Sequence, residues 1–131
     1  MLWSINTVNF YNTKKMKDIE KLINSYIESA TYINDNYMDR VVKTHNHHEK
    51  NTIKIVEYLK KNSLLYKLHP LLNHPVDNVR LTAAFDLLSL YEEEAKKVYY
   101  EIIAKKIPLM SSTARISLQQ WEENKSLENK E

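Results

Sequence analysis

The chain of 131 residues contains no cysteine and no glycine, and only three prolines. Without cysteine there are no disulfides, no thiolate zinc sites and no thiol nucleophile, a composition that fits a reducing compartment. Glycine averages about 7% in globular chains. Its absence excludes a glycine-rich phosphate loop and argues against left-handed backbone turns. No apolar run approaches the roughly 18 residues that a membrane-spanning helix needs. The opening MLWSINTVNF has neither a basic leader nor a long apolar stretch, so it does not read as a secretion signal, and a cytoplasmic location is expected. A strong charge of either sign is missing as well: 19 basic and 17 acidic residues leave +2. Residues 1–70 hold 11 basic and 7 acidic side chains, whereas residues 71–131 hold 8 and 10. That mild polarity falls well short of the basic excess of a nucleic-acid-binding protein.

What the chain does contain is enough apolar residue, 43%, for one packed core. The pattern is helical and is organised around residues 68–90. Leu68, Leu71 and Leu72 close one apolar segment, and Asn73-His74-Pro75 breaks it, because proline fixes φ and lacks an amide hydrogen. Val79, Ala83, Ala84, Leu87 and Leu88 then recur on one helical face. The pair Ala83 and Ala84 allows close approach of helices across a corner at Pro75. Upstream, Met16, Ile19, Leu22, Ile23, Tyr26, Ile27, Ala30 and Ile33 make an amphipathic stripe, with Asn34 and Asp35 as candidates to end it and cap the next helix. Residues 1–15 show no helical period and read as an N-terminal arm, docked or irregular, a short strand or an upstream extension, with Met16 a second candidate start of translation.

The region 37–61 carries Val41, His45, His48, Thr52, Val56 and Leu59 on one stripe with a polar middle. It is either one long helix or two helices broken near residues 46–51. Ser63 is placed to cap a helix over Leu64–Leu72. Glu92, Glu93 and Glu94 open another helix at its positive end, Ala95, Val98, Tyr99, Ile102 and Ile103 form its buried face, and Lys105 and Lys106 close it. After Pro108, Ser111 or Ser112 is expected to cap a last helix that turns Ala114, Leu118 and Trp121 inward. Residues 124–131 read as a polar tail. The expectation is an all-α single domain over residues 16–123, a small α-solenoid of about five to seven antiparallel helices.

Candidate chemistry is sparse. His45, His47, His48 and Glu49 include zinc-compatible groups, but the order H-x-H-H-E lacks the spacing of H-E-x-x-H, so a solvated polar face is expected and no metal. His69 and His74 flank the corner without a nucleophile at motif spacing, and are expected to bond free helix-end carbonyls. Arg80 lies in a first helical turn, where a carboxylate on a neighbouring helix would account for it. The lysine pairs at 14–15, 60–61, 96–97 and 105–106, with nine tyrosines, raise nucleic-acid binding, but they are scattered over several helices. Asp86, Tyr91, Glu92, Glu93, Glu94, Glu122 and Glu123 are the candidates for an acidic, partner-binding surface. Pro75, Arg80, Ala83, Ala84 and Trp121 are expected to serve structure. No catalytic residue and no cofactor is expected.

The run Val79-Arg80-Leu81-Thr82-Ala83-Ala84-Phe85-Asp86-Leu87, following a leucine-rich segment and a proline corner, resembles a HEAT-type repeat. His74 stands where that pattern commonly has aspartate. A longer stretch, about 50–121, resembles the small bacterial family known as domain of unknown function 2019. The resemblance is carried by Asn51, the Leu59–Leu72 segment, His74-Pro75, Val79-Arg80, Ala83-Ala84, Ala95 and Trp121. It implies a HEAT-like α-solenoid without catalytic residues. Small helical proteins of this kind include immunity proteins encoded beside toxins. The expected function is therefore a non-catalytic domain that neutralises a cognate toxin, possessing an acidic face for a cationic nuclease partner. The alternative is a nucleic-acid-binding HEAT-like module.

Overall fold

A computed structural model describes residues 5–33 and 42–128, with side chains over 18–33 and 44–128. Every regular element among them is helical: α1 (Ile5–Ile33), α2 (Val42–Lys61), a 3-10 segment η1 (Leu65–Asn73), α3 (Asp77–Leu87), α4 (Glu92–Lys105) and α5 (Met110–Glu128). The expected all-α class is correct. Val41, Asn34 and Asp35 lie outside the described residues, and so does the capping role expected of the last two.

Helix α3 sits at the centre, packed against α1, η1, α4 and α5. Its Val79, Ala83, Ala84 and Leu87 are fully buried, and Leu81 and Leu88 nearly so. A helix apolar on several faces must be enclosed by neighbours, and the absence of a Cβ branch at both alanines lets the surrounding backbones come near. Around α3 the predicted stripes hold: Ile19, Tyr26 and Ala30 of α1, Ala95, Val98, Tyr99 and Ile102 of α4, and Ala114 of α5 are buried. Leu118 and Trp121 pack half-buried against the same core.

Several expectations are corrected. α1 begins at Ile5, so residues 5–15 are helical and not an irregular arm. At the other end α5 continues through residues 124–128, and Lys125 is tied to Glu92 at 2.7 Å, so the tail expected from residue 124 is helical to Glu128. α2 runs unbroken through its polar middle. There Asn51 donates to Ser25 Oγ at 3.0 Å and Ser29 Oγ at 2.9 Å, and Ser29 Oγ bonds His48 Nδ1 at 2.9 Å. A hydrogen-bonded seam of Ser25, Ser29, His48 and Asn51 thus joins α1 and α2 where the apolar stripe lapses, while His45 Nδ1 is buried without a partner.

The Leu64–Leu72 stretch is not an α-helix. Leu65, Leu68 and Leu71 recur every three residues and are all buried, the period of a 3-10 helix. Ser63 does not cap it. It ends α2 with φ 57°, its N–H donating to Lys60 C=O at 3.2 Å while Leu64 N–H reaches Leu59 C=O at 2.7 Å. That is a Schellman closure, a position usually held by glycine. Ser111 likewise does not cap α5: its buried hydroxyl accepts from Ile107 N–H at 2.8 Å and donates to Ile102 C=O at 2.7 Å, clipping the end of α4 to the start of α5.

Left-handed backbone therefore occurs without glycine, at Ser63, Lys106 and Leu109. Leu109, φ 67°, is the least suited to it. Met110 N–H closes a three-residue turn onto Pro108 C=O at 2.7 Å around it, a γ-turn geometry that is strained. The Leu109 side chain is exposed, so replacing it loses little burial. Leu109→Gly is expected to raise unfolding stability by about 0.5–1 kcal/mol, the relief of left-handed strain less the entropy glycine adds to the unfolded chain. Urea unfolding of the two proteins is the check.

Candidate functional site

The acidic candidates separate into two groups. At the start of α4 and along α5, Glu92, Glu94 and Glu122 are matched with bases. Glu92 accepts from Trp121 Nε1 at 2.7 Å and from Lys125 Nζ at 2.7 and 3.0 Å, with Lys96 at 3.5 Å. Those bonds, Lys125's first and then Trp121's, hold its carboxyl down to about 2. Lys96 also pairs with Glu122 at 2.6 Å, a bond that raises the lysine. Glu94 pairs with His69, whose ring packs on Tyr91 with centroids 4.3 Å apart. Glu123 accepts from Gln119 at 3.3 Å. Glu93 is exposed. Tyr91, Glu92, Glu94 and Glu122 are thus joined to Lys96, Lys125, His69 and Trp121, a staple between α4 and its neighbours and not a bare acidic face.

His69 therefore bonds a carboxylate, not the helix-end carbonyl expected of it. His74 also departs from that expectation: its Nδ1 accepts from Val76 N–H at 3.1 Å and shapes the corner before α3. Arg80 has its partner on the neighbouring helix, Glu101 of α4, and adds Asp77 at 3.3 Å and the Leu72 carbonyl at 3.2 Å. Asp77 in turn holds Lys105 at 2.8 Å, and that bond pulls its carboxyl below the usual range. In the histidine cluster, His45 faces Glu49 at 3.7 Å, His48 turns to Ser29, and His47 is exposed. Among the described residues no three His, Asp or Glu side chains converge as a metal would require.

Asp86, the second group, stands apart. Its Oδ2 accepts from Tyr26 Oη–H at 2.6 Å, joining α3 to α1. Burial pushes its carboxyl up to about 6, against the opposing effects of the Tyr26 bond and the charge of Lys60. It lines a cavity of about 220 Å³ reached by α1 through Ile33, α2 through Glu49, Thr52 and Ile53, α3 through Leu81, Thr82, Phe85 and Asp86, α4 through Tyr99, and α5 through Thr113 and Ser117. Phe85 is 61% exposed and Ile53 53%, so both form an apolar rim.

Tyr99 is fully buried, and its hydroxyl has no hydrogen-bond partner. Burial raises its pKa first, and the charge of Asp86 adds to it, so the two groups are close enough to feel one another. An unsatisfied buried hydroxyl costs about 1–3 kcal/mol and calls for a reason. The cavity thus combines an apolar rim, two carboxylates and an unpartnered hydroxyl. Periodicity marked Asp86 only as one acid among several. The local signal for the rest is Thr82, Phe85 and Asp86, an i, i+3, i+4 set on α3. The contributions of α1, α2, α4 and α5 depend on tertiary packing.

No helix among the described residues is long and apolar enough to cross a membrane. In comparisons with family models, with curated proteins and with solved structures, the chain matches none.

Proposed function

We propose that the chain is a non-catalytic protein-binding domain, a small HEAT-like α-solenoid of antiparallel helices that seats a partner over the cavity rimmed by Phe85 and Ile53. The carrying observation is that rim: two large apolar side chains, each more than half exposed, flank an opening that holds Glu49 and Asp86. Aromatic anchors beside a concavity are where binding energy concentrates. The ordered packing of α3 supports a pre-formed surface, which lowers the cost of association.

Within this reading the partner is a cationic toxin domain, such as a nuclease, and the chain is its cytoplasmic immunity protein. The acidic residues first singled out on α4 and α5 carry less of that reading than Asp86 does, since most are paired within the chain. The alternative, a nucleic-acid-binding module, has less to draw on at two of the lysine pairs, because Lys96 and Lys105 are engaged by Glu122 and Asp77.

The test is co-expression with the product of the adjacent gene. A stable complex is expected, and Phe85→Ala and Ile53→Ala are each expected to weaken it at least about tenfold, the effect of losing an interface anchor. Both side chains are exposed, so the substituted chains remain folded. Absence of a complex, or a complex indifferent to both substitutions, overturns the proposal.

A further inference from the structure

The chemistry of the cavity says more about its occupant than the rim alone, and this step rests on the docking reading above. We infer that the cavity receives one organic cation, the ammonium or guanidinium end of a lysine or arginine side chain presented by the partner, with Asp86 as its counter-ion and the Tyr99 hydroxyl as an acceptor.

Charge is the first ground. Glu49 and Asp86 line the cavity, and none of its described lining residues is Lys, Arg or His. Lys60, whose charge reaches Asp86, is exposed and is not among the lining. One Asp86 oxygen accepts from Tyr26, leaving the other for a donor, and a charged donor makes the stronger bond. The second, independent ground is Tyr99. Tyr99 is buried and is among the residues that line the cavity, and its hydroxyl has no hydrogen-bond partner. An N–H group placed between it and Asp86 satisfies both.

Size and wall chemistry suit the end of one side chain better than a larger ligand. Pockets for whole cofactors run to about 300–1,000 Å³, and this one is about 220 Å³, the scale of a single long side chain. Ile33, Leu81 and Phe85 suit the alkyl stem of that side chain, and among the described residues no three His, Asp or Glu side chains converge to hold a metal ion. The exposed face of Phe85 adds a cation–π contact.

The experiment titrates the full chain at pH 8 with n-butylguanidinium, with the peptide acetyl-Gly-Arg-Gly amide, and with neutral 1-pentanol, following backbone amides by NMR. The expected result is saturable binding of both guanidinium probes in the millimolar range, with shifts centred on Thr82 to Asp86, and no saturable binding of the alcohol. Asp86→Asn keeps an acceptor for Tyr26 and is expected to remove at least about tenfold of the affinity. Wild-type affinity should fall similarly at pH 5, where Asp86 takes up a proton; the other titratable groups around it are Glu49, Lys60, Tyr26 and Tyr99. Equal binding of pentanol, no saturation by either cation, or unchanged affinity in Asp86→Asn overturns the inference. Binding of butylguanidinium with exclusion of the peptide overturns the side-chain source. If the cations fail to bind while the co-expressed complex persists, the cavity assignment falls and the docking reading stands. If the complex fails to form while the cations still bind, the docking reading falls and the cavity keeps its cation.

Discussion

Leu68→Ala is expected to lower the free energy of unfolding by about 2–5 kcal/mol, the range for truncating a fully buried leucine. Leu68 has no exposed surface and lies at the middle of η1, between Leu65 and Leu71 on the same face. The segment packs on α2, α3 and α4. Two of those helices are held to one another by Arg80 with Glu101 and by Lys105 with Asp77, so they cannot easily close over a void. The loss should therefore fall in the upper half of the range. Domains of this size are stable by about 5–15 kcal/mol, so much of the native stability goes with one side chain. Tyr66, two positions away and exposed, supplies the control: Tyr66→Ala should change stability by less than about 1 kcal/mol. Urea unfolding of both variants decides the matter. Equal effects would mean that the three-residue period does not set the buried face of η1.

That period also shows where the sequence misleads. Leu68, Leu71 and Leu72 fit an α-helical stripe as well as a 3-10 one, and the choice turns on Leu65, which extends the spacing of three. Serine before an apolar run reads as an N-cap, but Ser63 closes the preceding helix, since α2 must end in a left-handed residue and this chain has no glycine for it. The long stripes of α1 and α4 were legible because many residues agree on one period. The histidines of α2 were legible only as a lapse in that period; their partner Ser29 belongs to α1. The same limit explains the acids. Glu92, Glu93 and Glu94 read correctly as a helix start, yet nothing nearby in sequence announces that Trp121 and Lys125 will close on Glu92. Asp86 was singled out for its charge alone. Its burial, its bond to Tyr26 and its place beside Tyr99 all come from helices that the local pattern cannot bring together.

Asp86→Asn is expected to stabilise the protein at pH 8 by about 1–3 kcal/mol and to leave it nearly unchanged near pH 3. The sign follows from the direction of the shift. Burial raises the folded carboxyl from its ordinary 3.8 to about 6. Below pH 3.8 the group is neutral in both states and contributes no penalty. As pH rises the unfolded chain releases its proton first, so stability falls between about pH 4 and 6 and levels off above. A shift of about two units corresponds to about 3 kcal/mol as an upper value. Asparagine has no proton to lose and still offers an oxygen to Tyr26. Glu92 and Asp77 run the other way: their carboxyls are lowered, so their contribution is lost as pH falls through the folded values. Wild type should therefore lose stability on both sides of an acidic optimum, whereas the variant should lose it only toward acid. A buried charge that weakens the fold at neutral pH suits a site whose counter-ion arrives from outside, and a perturbed carboxyl lining a concavity is a candidate functional group. Thermal unfolding at pH 8 with and without n-butylguanidinium checks that link. The cation should raise the midpoint of wild type and leave that of Asp86→Asn unmoved, and an equal rise in both would detach the cost of Asp86 from any ligand.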